Sequence, residues 1–261
     1  DKPAVSNYRG EIFTYGQLAT QIERFHIFFD ACGIKKGDHI AICAKNTARM
    51  AVSFLSVNTY EAVVVPILSD FTPESVNHLV DHSESLILFT DSDIWAKLDI
   101  QAMPRLKADV SVNDFTLLWS AGEEVKAAFA SVPERFTAKY PMGFSRENVK
   151  YNTDNWDDLD IINYTSGTTS APKGVMLTYG NLSSSIAFGH EHIPVHADDS
   201  IVSMLPMAHI YGMVYEFLYP LAGGCTVYFL GKTPAPSLLL TAMQDVQPLL
   251  VCTVPLFMEQ V

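Results

Sequence analysis

What most limits the fold of this chain is a rhythm. Short runs of β-branched and apolar residues return along it, with helix-length stretches between them. The runs are HIAICA (39–44), AVVVPI (62–67), SLILFT (85–90), DFTLLW (114–119), DIINYT (160–165), SIVSML (200–205), CTVYFL (225–230) and LLVCTV (249–254). Several are apolar without alternation, the mark of strands covered on both faces, as in parallel sheets. Between them, Leu18, Ile22, Phe25 and Phe29 recur at helical spacing, and Gly33 supplies a stop. Thr72 and Pro73 open a helix running toward Asp81, and a third helix begins after Ala208 with IYGMVYEFLYPLA. Repeated β-α-β units predict an α/β fold of mostly parallel sheets with right-handed crossovers.

The chain has 261 residues, 48% of them apolar and 18% charged, so a sizeable core is expected in one large domain or two smaller ones. The least regular stretch is Lys139 to Asp160. It reads as an exposed connection whose acids (Asp154, Asp157, Asp158, Asp160) form a solvated face. A division is therefore expected there, with one α/β portion over 1–150 and a second over 151–261. A net charge of −12 argues against a general nucleic-acid binder, and an anionic ligand would need a local positive pocket. The four cysteines form no C-x-x-C pair and sit among apolar neighbours, which points to reduced, buried thiols in the cytoplasm. The first residues are not patterned as a secretory leader. The apolar region Ser200 to Leu230 is broken by Pro206, His209, Glu216 and Pro220, as suits two strands around a helix rather than a membrane span. Peripheral association with a membrane stays open, as does oligomeric state.

One polar stretch stands apart. YTSGTTSAPKG (164–174) follows an apolar strand and leads into VMLTYGNL. Small hydroxyl residues around Gly167 can turn O–H and backbone N–H groups inward as a nest for phosphate oxygens, with Lys173 adding a full charge. A solvent-exposed Ser/Thr turn is the plainer alternative. A Walker A loop is not, because Pro172 and Gly174 stand where its spacing from Gly167 needs glycine and a hydroxyl residue. His190, His192 and His196 have no cysteine and no convincing carboxylate beside them, so no zinc site is assigned.

The stretch closely resembles the phosphate-binding signature of adenylate-forming enzymes, [YS]-[TS]-S-G-[ST]-T-G-x-P-K-G-V, with Ser170 in place of the usual glycine. FTYGQL (13–18), YEAVVVPI (60–67), MLTYGNL (176–182) and LPMAHIYGM (205–213) resemble further elements of that family in the same order. Two letters differ: Glu61 stands where glycine is frequent, and Tyr179 where histidine is common. The resemblance covers about the whole chain and is nearest to long-chain fatty acid–CoA ligases. It implies the layered αβαβα-type N-terminal domain of these enzymes, in truncated form. It also implies a reaction in which a carboxylate attacks the α-phosphorus of ATP, releases pyrophosphate, and is passed from the acyl-adenylate to coenzyme A. Thr165, Ser166, Gly167, Thr168, Thr169 and Lys173 would embrace the β- and γ-phosphates. Mg²⁺ would arrive with ATP, with Thr165 the protein residue beside it. His209 would lie where acyl carboxylate and α-phosphate meet, and Tyr211 and Gly212 would line the acyl path. A hydrogen-bonded core or loop histidine and a core tyrosine are the plainer readings of His209 and Tyr211.

The same resemblance implies elements that this sequence does not contain: a Y-G-x-[TS]-E segment, a ribose-binding aspartate, and a small C-terminal domain with a catalytic lysine. The expectation is therefore an N-terminal piece of a ligase, inactive by itself. An aryl-CoA ligase, an amino-acid adenylation domain, and a noncatalytic binding module on the same scaffold remain alternatives.

Overall fold

An unbroken apolar strand must be covered on both faces, and the run at 62–67 is. In the computed structural model, which describes residues 2–165, 173–231 and 236–253, it forms β4 (Val63–Ile67), buried at every position. On either side lie β3 (His39–Cys43) and β8 (Leu159–Thr165), both parallel to it. With β5 (Ile87–Thr90), β6 (Ala108–Ser111), β7 (Leu117–Ser120) and β9 (Lys173–Thr178) they make a seven-stranded sheet in the order β7-β6-β5-β3-β4-β8-β9. The stretch from β6 to β8 is parallel throughout, and β7 and β9 are antiparallel edges.

Alternate residues of these strands point to opposite faces, so each face needs its own cover. Leu88 packs with Ala41, Cys43, Val65 and Ile67 against Val76, Leu79 and Val80 of helix α3 (Pro73–His82). The next residue, Phe89, meets Phe25 of helix α1 (Tyr15–Ala31) edge to face at 5.2 Å between ring centroids. Both helices begin and end as their sequences demand. The Thr72 hydroxyl accepts from the Ser75 N–H ahead of Pro73. After α1, Gly33 takes a φ of +68° and Ile34 N–H returns to Phe29 O at 2.9 Å. Helix α2 (Ala48–Thr59) links β3 to β4, α4 (Ser92–Trp95) follows β5, and α5 (Glu123–Ala130) and α6 (Val132–Lys139) follow β7.

A second sheet has the order β10-β11-β1-β2, from β1 (Pro3–Asn7), β2 (Ile12–Thr14), β10 (Ser200–Ser203) and β11 (Thr226–Phe229). The first three strands are parallel and β2 is antiparallel to β1. Helix α7 (Tyr179–His192) precedes β10. Between β10 and β11 the chain runs through α8 (Ile210–Gly212), a π-helical turn at Met213–Leu218, and α9 (Tyr219–Ala222). Leu239 and Ala242 of α10 (Pro236–Val246) pack on Val202 and Leu230. The result is an α/β fold of mostly parallel sheets with flanking helices.

The chain divides into two compact units, one of Asp1–Gln17, Lys45–Ala51 and Gly180–Val261, the other of Leu18–Ala44 and Val52–Tyr179. Each sheet lies within one unit. The expected division at 150/151 follows a different line: β8 and β9 come after it, yet pair in the sheet built from earlier strands. The stretch before β8 is largely irregular, with a short 3-10 turn at Arg146–Asn148. Its acids do not behave as one solvated face. Asp154 and Asp157 are exposed, but Asp160 is fully buried, because it already belongs to strand β8. The run 249–254 contributes an isolated bridge between Leu250 and Ile201 in its described part. The four cysteines are free thiols, and burial pushes Cys43 up to about 12 and Cys252 up to about 11.

Candidate functional site

The hydroxyl-rich stretch lies between two paired strands. Strands β8 and β9 pair from Leu159 opposite Thr178 to Thr165 opposite Lys173. Thr165 and Lys173 are thus brought face to face as the last register pair, and both are exposed. Ser166, Gly167, Thr168 and Thr169, together with Ser170 and Pro172, lie outside the described residues. The two flanking strand ends are firmly set. Gly174 lies opposite Tyr164, and a Cβ there would come within 2.8 Å of Ile162 Cγ2 and 3.3 Å of Tyr164 Cε1. Only glycine permits that approach. The Tyr164 hydroxyl is hydrogen-bonded to His82 Nδ1 at 2.6 Å, which ties the end of β8 to the end of α3. Burial raises the Tyr164 phenol above its ordinary value.

The strand below is anchored too. Asp160 Oδ1 accepts from Asn58 Nδ2 at 2.7 Å, and Asn58 O accepts from the Tyr179 hydroxyl at 2.6 Å. Asp160 Oδ2 has no partner among the described residues, and burial pushes the carboxyl up to about 7. Asn58 therefore fastens the first residues of β8 and the residue that follows β9. Tyr179, the position where a histidine is common in the resembling family, has a structural use here.

His209, Tyr211 and Gly212 are brought together at the start of α8. His209 is the residue before the helix, with extended backbone (φ −97°, ψ 131°), and is exposed. Its N–H donates to Pro206 O at 3.0 Å, and its carbonyl accepts from Met213 N–H at 2.9 Å. Tyr211 is 47% exposed, and its ring tilts against Tyr215 at 5.5 Å. That exposure sets aside the plain core reading of Tyr211. Gly212 is buried, and a Cβ would sit 2.9 Å from both Leu205 Cβ and Pro206 O. Packing against the turn Leu205–Pro206 thus accounts for this glycine.

Sequence reasoning missed several groups. Glu216 is fully buried on the π-helical turn, where its Oε2 accepts from Ser203 Oγ and from the N–H groups of Met204 and Leu205. Asn46 bonds Leu205 and Met207. His82 belongs to no motif. A charged letter inside an apolar helix was the one available signal for Glu216. His190 and His192 have ring partners, Tyr219 at 4.8 Å and Phe188 at 4.1 Å, and His196 Nδ1 lies 3.5 Å from Asp199.

The model of the AMP-binding enzyme family matches residues 1–261. The chain is similar to the probable CoA ligase CCL9 of Humulus lupulus, 29% identical over 82% of this chain and 38% of that protein. The oxalate–CoA ligase of Arabidopsis thaliana is 32% identical, over 82% of this chain and 39% of its own length. The long-chain-fatty-acid–CoA ligase 5 of Rattus norvegicus is 26% identical, over 95% and 37%. The chain therefore spans less than half the length of these relatives. Among solved structures, the inhibitor-bound N-terminal domain of FACL13 from Mycobacterium tuberculosis superposes with a TM-score of 0.76 at 20% identity, covering 100% of this chain and 61% of that one. ATP-bound MatB from Rhodopseudomonas palustris gives 0.73 at 23% identity, over 94% and 45%. At these identities the likeness is one of fold.

Proposed function

The chain belongs to the AMP-binding enzyme family, and from that premise we propose that the protein activates a carboxylic acid with ATP and passes it, as an acyl-adenylate, to the thiol of coenzyme A. One acyl oxygen bonds to the α-phosphorus while the bond to pyrophosphate breaks. The thiol sulfur then displaces AMP from the acyl carbon. Neither step needs a covalent protein nucleophile; both need charge offset and alignment. The observation that carries this reading is the pairing of β8 and β9, which sets Thr165 and Lys173 in register on either side of the hydroxyl-rich segment.

Lys173 offsets charge on the departing pyrophosphate. Thr165, Ser166, Gly167, Thr168 and Thr169 supply hydroxyl and amide donors to its oxygens. His209 steadies the oxygens at the acyl–phosphate junction, and Tyr211 and Gly212 border the acyl group. For Gly212 the packing reason stands on its own. Long-chain fatty acids are the substrate class we assign, on the strength of LPMAHIYGM. The rat relative carries that class in its name and the Arabidopsis relative carries oxalate, so the acid rests on the segment itself. Thr165 offers a cation a single hydroxyl, and among the described residues no group of three or more His, Cys, Asp or Glu could hold a metal. Mg²⁺ would accordingly take most of its oxygen ligands from the nucleotide and water. No helix among the described residues is long and apolar enough to cross a membrane. With four free thiols, we assign the protein to the cytoplasm, with peripheral membrane contact compatible.

The test is Lys173→Ala in the full-length protein. Because Lys173 is exposed at a strand end, the melting temperature is expected to stay unchanged. Single-turnover acyl-adenylate formation is expected to slow by about 10²-fold, the scale of losing one transition-state charge or donor. An unchanged rate would remove Lys173 from the mechanism.

A further inference from the structure

The segment that presents His209 leaves β10 at Ser203 and has no strand or helix bonding of its own before α8. Two side chains supply what the backbone does not. Glu216, fully buried on the π-helical turn, accepts at Oε2 from Ser203 Oγ at 3.2 Å, from Met204 N–H at 2.9 Å and from Leu205 N–H at 2.8 Å. Asn46 continues the bonding, donating from Nδ2 to Leu205 O at 2.6 Å and accepting at Oδ1 from Met207 N–H at 3.0 Å. The N–H of His209 then closes on Pro206 O. Every residue from Met204 to Met207 is therefore fixed through its own backbone by Glu216, Asn46 or His209, or by the close approach of Gly212 to Leu205 and Pro206.

A buried carboxyl is a costly way to satisfy two amides, and Glu216 Oε1 has no partner among the described residues. Burial pushes this carboxyl up to about 7. A π-helical turn is also rare, and such turns recur at functional sites because they redirect a side chain by one position. Here the turn at Met213–Leu218 directs Glu216 to the N–H groups at the exit of β10. The cost and the geometry converge on one stretch of backbone, and that stretch ends at His209.

We propose that Glu216 and Asn46 are positioning residues for His209: together they fix the turn from β10 to α8, and so set the histidine for acyl-adenylate formation. This rests on the reading of His209 given above. Neither residue need touch a substrate.

The test is a double-mutant cycle in the full-length protein, read by fatty-acid-dependent ATP–pyrophosphate exchange. Glu216→Leu fills the space but cannot accept from the two amides. Glu216→Leu and His209→Ala are each expected to lower kcat at least about tenfold, with KM for ATP held within about threefold, and the double variant is expected to be no slower than His209→Ala. Glu216→Gln, which keeps an acceptor oxygen, is expected to recover most of the rate. Full kcat in Glu216→Leu, or a loss that multiplies with that of His209→Ala, overturns the proposal. Full kcat in His209→Ala overturns it at the earlier step, by removing the role of His209. Should Glu216→Leu fail to fold, Asn46→Ala passes through the same cycle with the same expected outcomes.

Discussion

Glu61 stands at a φ of +65°, in the left-handed region that costs an L-residue about 1–2 kcal/mol and glycine almost nothing. This is the position where the resembling pattern often has glycine, so the odd letter in the sequence marked a real backbone feature. Its carboxylate accepts from Lys36 Nζ at 2.7 Å and Asn152 Nδ2 at 2.8 Å, bonds near the surface that offset little of the strain. Glu61→Gly and Glu61→Ala both lose those bonds, but only alanine keeps the strain. Denaturant unfolding is expected to find the glycine variant more stable than the alanine variant by about 1 kcal/mol. Equal stabilities would mean that this conformation carries no strain. His82, Asn46 and Glu216 show the opposite case. Each acts on a residue far along the chain or on another element, through a contact that spacing cannot encode.

Among elements, the buried parallel strands were the most legible, because an apolar run without alternation has few other uses. β3, β4, β5 and β8 fall close to the expected runs. β1 and β6 were not anticipated; each is only a few residues long and carries polar letters, Ser6 and Asn7 in one, Asp109 and Ser111 in the other. The π-helical turn departs from the 3.6-residue period, so periodicity could not mark it. Asp160 misled for another reason: it opens the expected run at 160–165, yet also reads with the acids of the connection before it. Its buried carboxyl gives β8 a pH signature. Because the folded value is raised from 3.8 to about 7, the folded chain binds the extra proton between about pH 4 and pH 7. Its contribution to stability therefore falls as pH rises across that window and levels off above it. Asp160→Asn removes the titration, so its stability relative to the natural chain is expected to climb across the window, by up to about 4 kcal/mol. A difference that stays flat from pH 4 to pH 8 would contradict the buried, protonatable state.

At the scale of the whole molecule, the alternation of strands and helices announced the α/β class, while the assembly into two units could not be seen. The units interleave in sequence, since Lys45–Ala51 belongs with the chain's first and last segments. A boundary read from local composition finds irregular loops, and here the irregular stretch leads into β8, a strand of the sheet built from earlier strands. Of the hydroxyl-rich motif, Thr165 and Lys173 are set in register by β8 and β9, while residues 166–172 lie outside the described residues. This chain spans less than half the length of its relatives, so the proposed reaction is tested on the full-length protein. The most direct measurement is therefore ATP–pyrophosphate exchange by the full-length protein, with fatty, aryl and amino acids offered in turn. Exchange is expected to require a long-chain fatty acid and to fall sharply in Lys173→Ala. Absence of exchange with every acid, or exchange indifferent to Lys173, would contradict the proposed reaction.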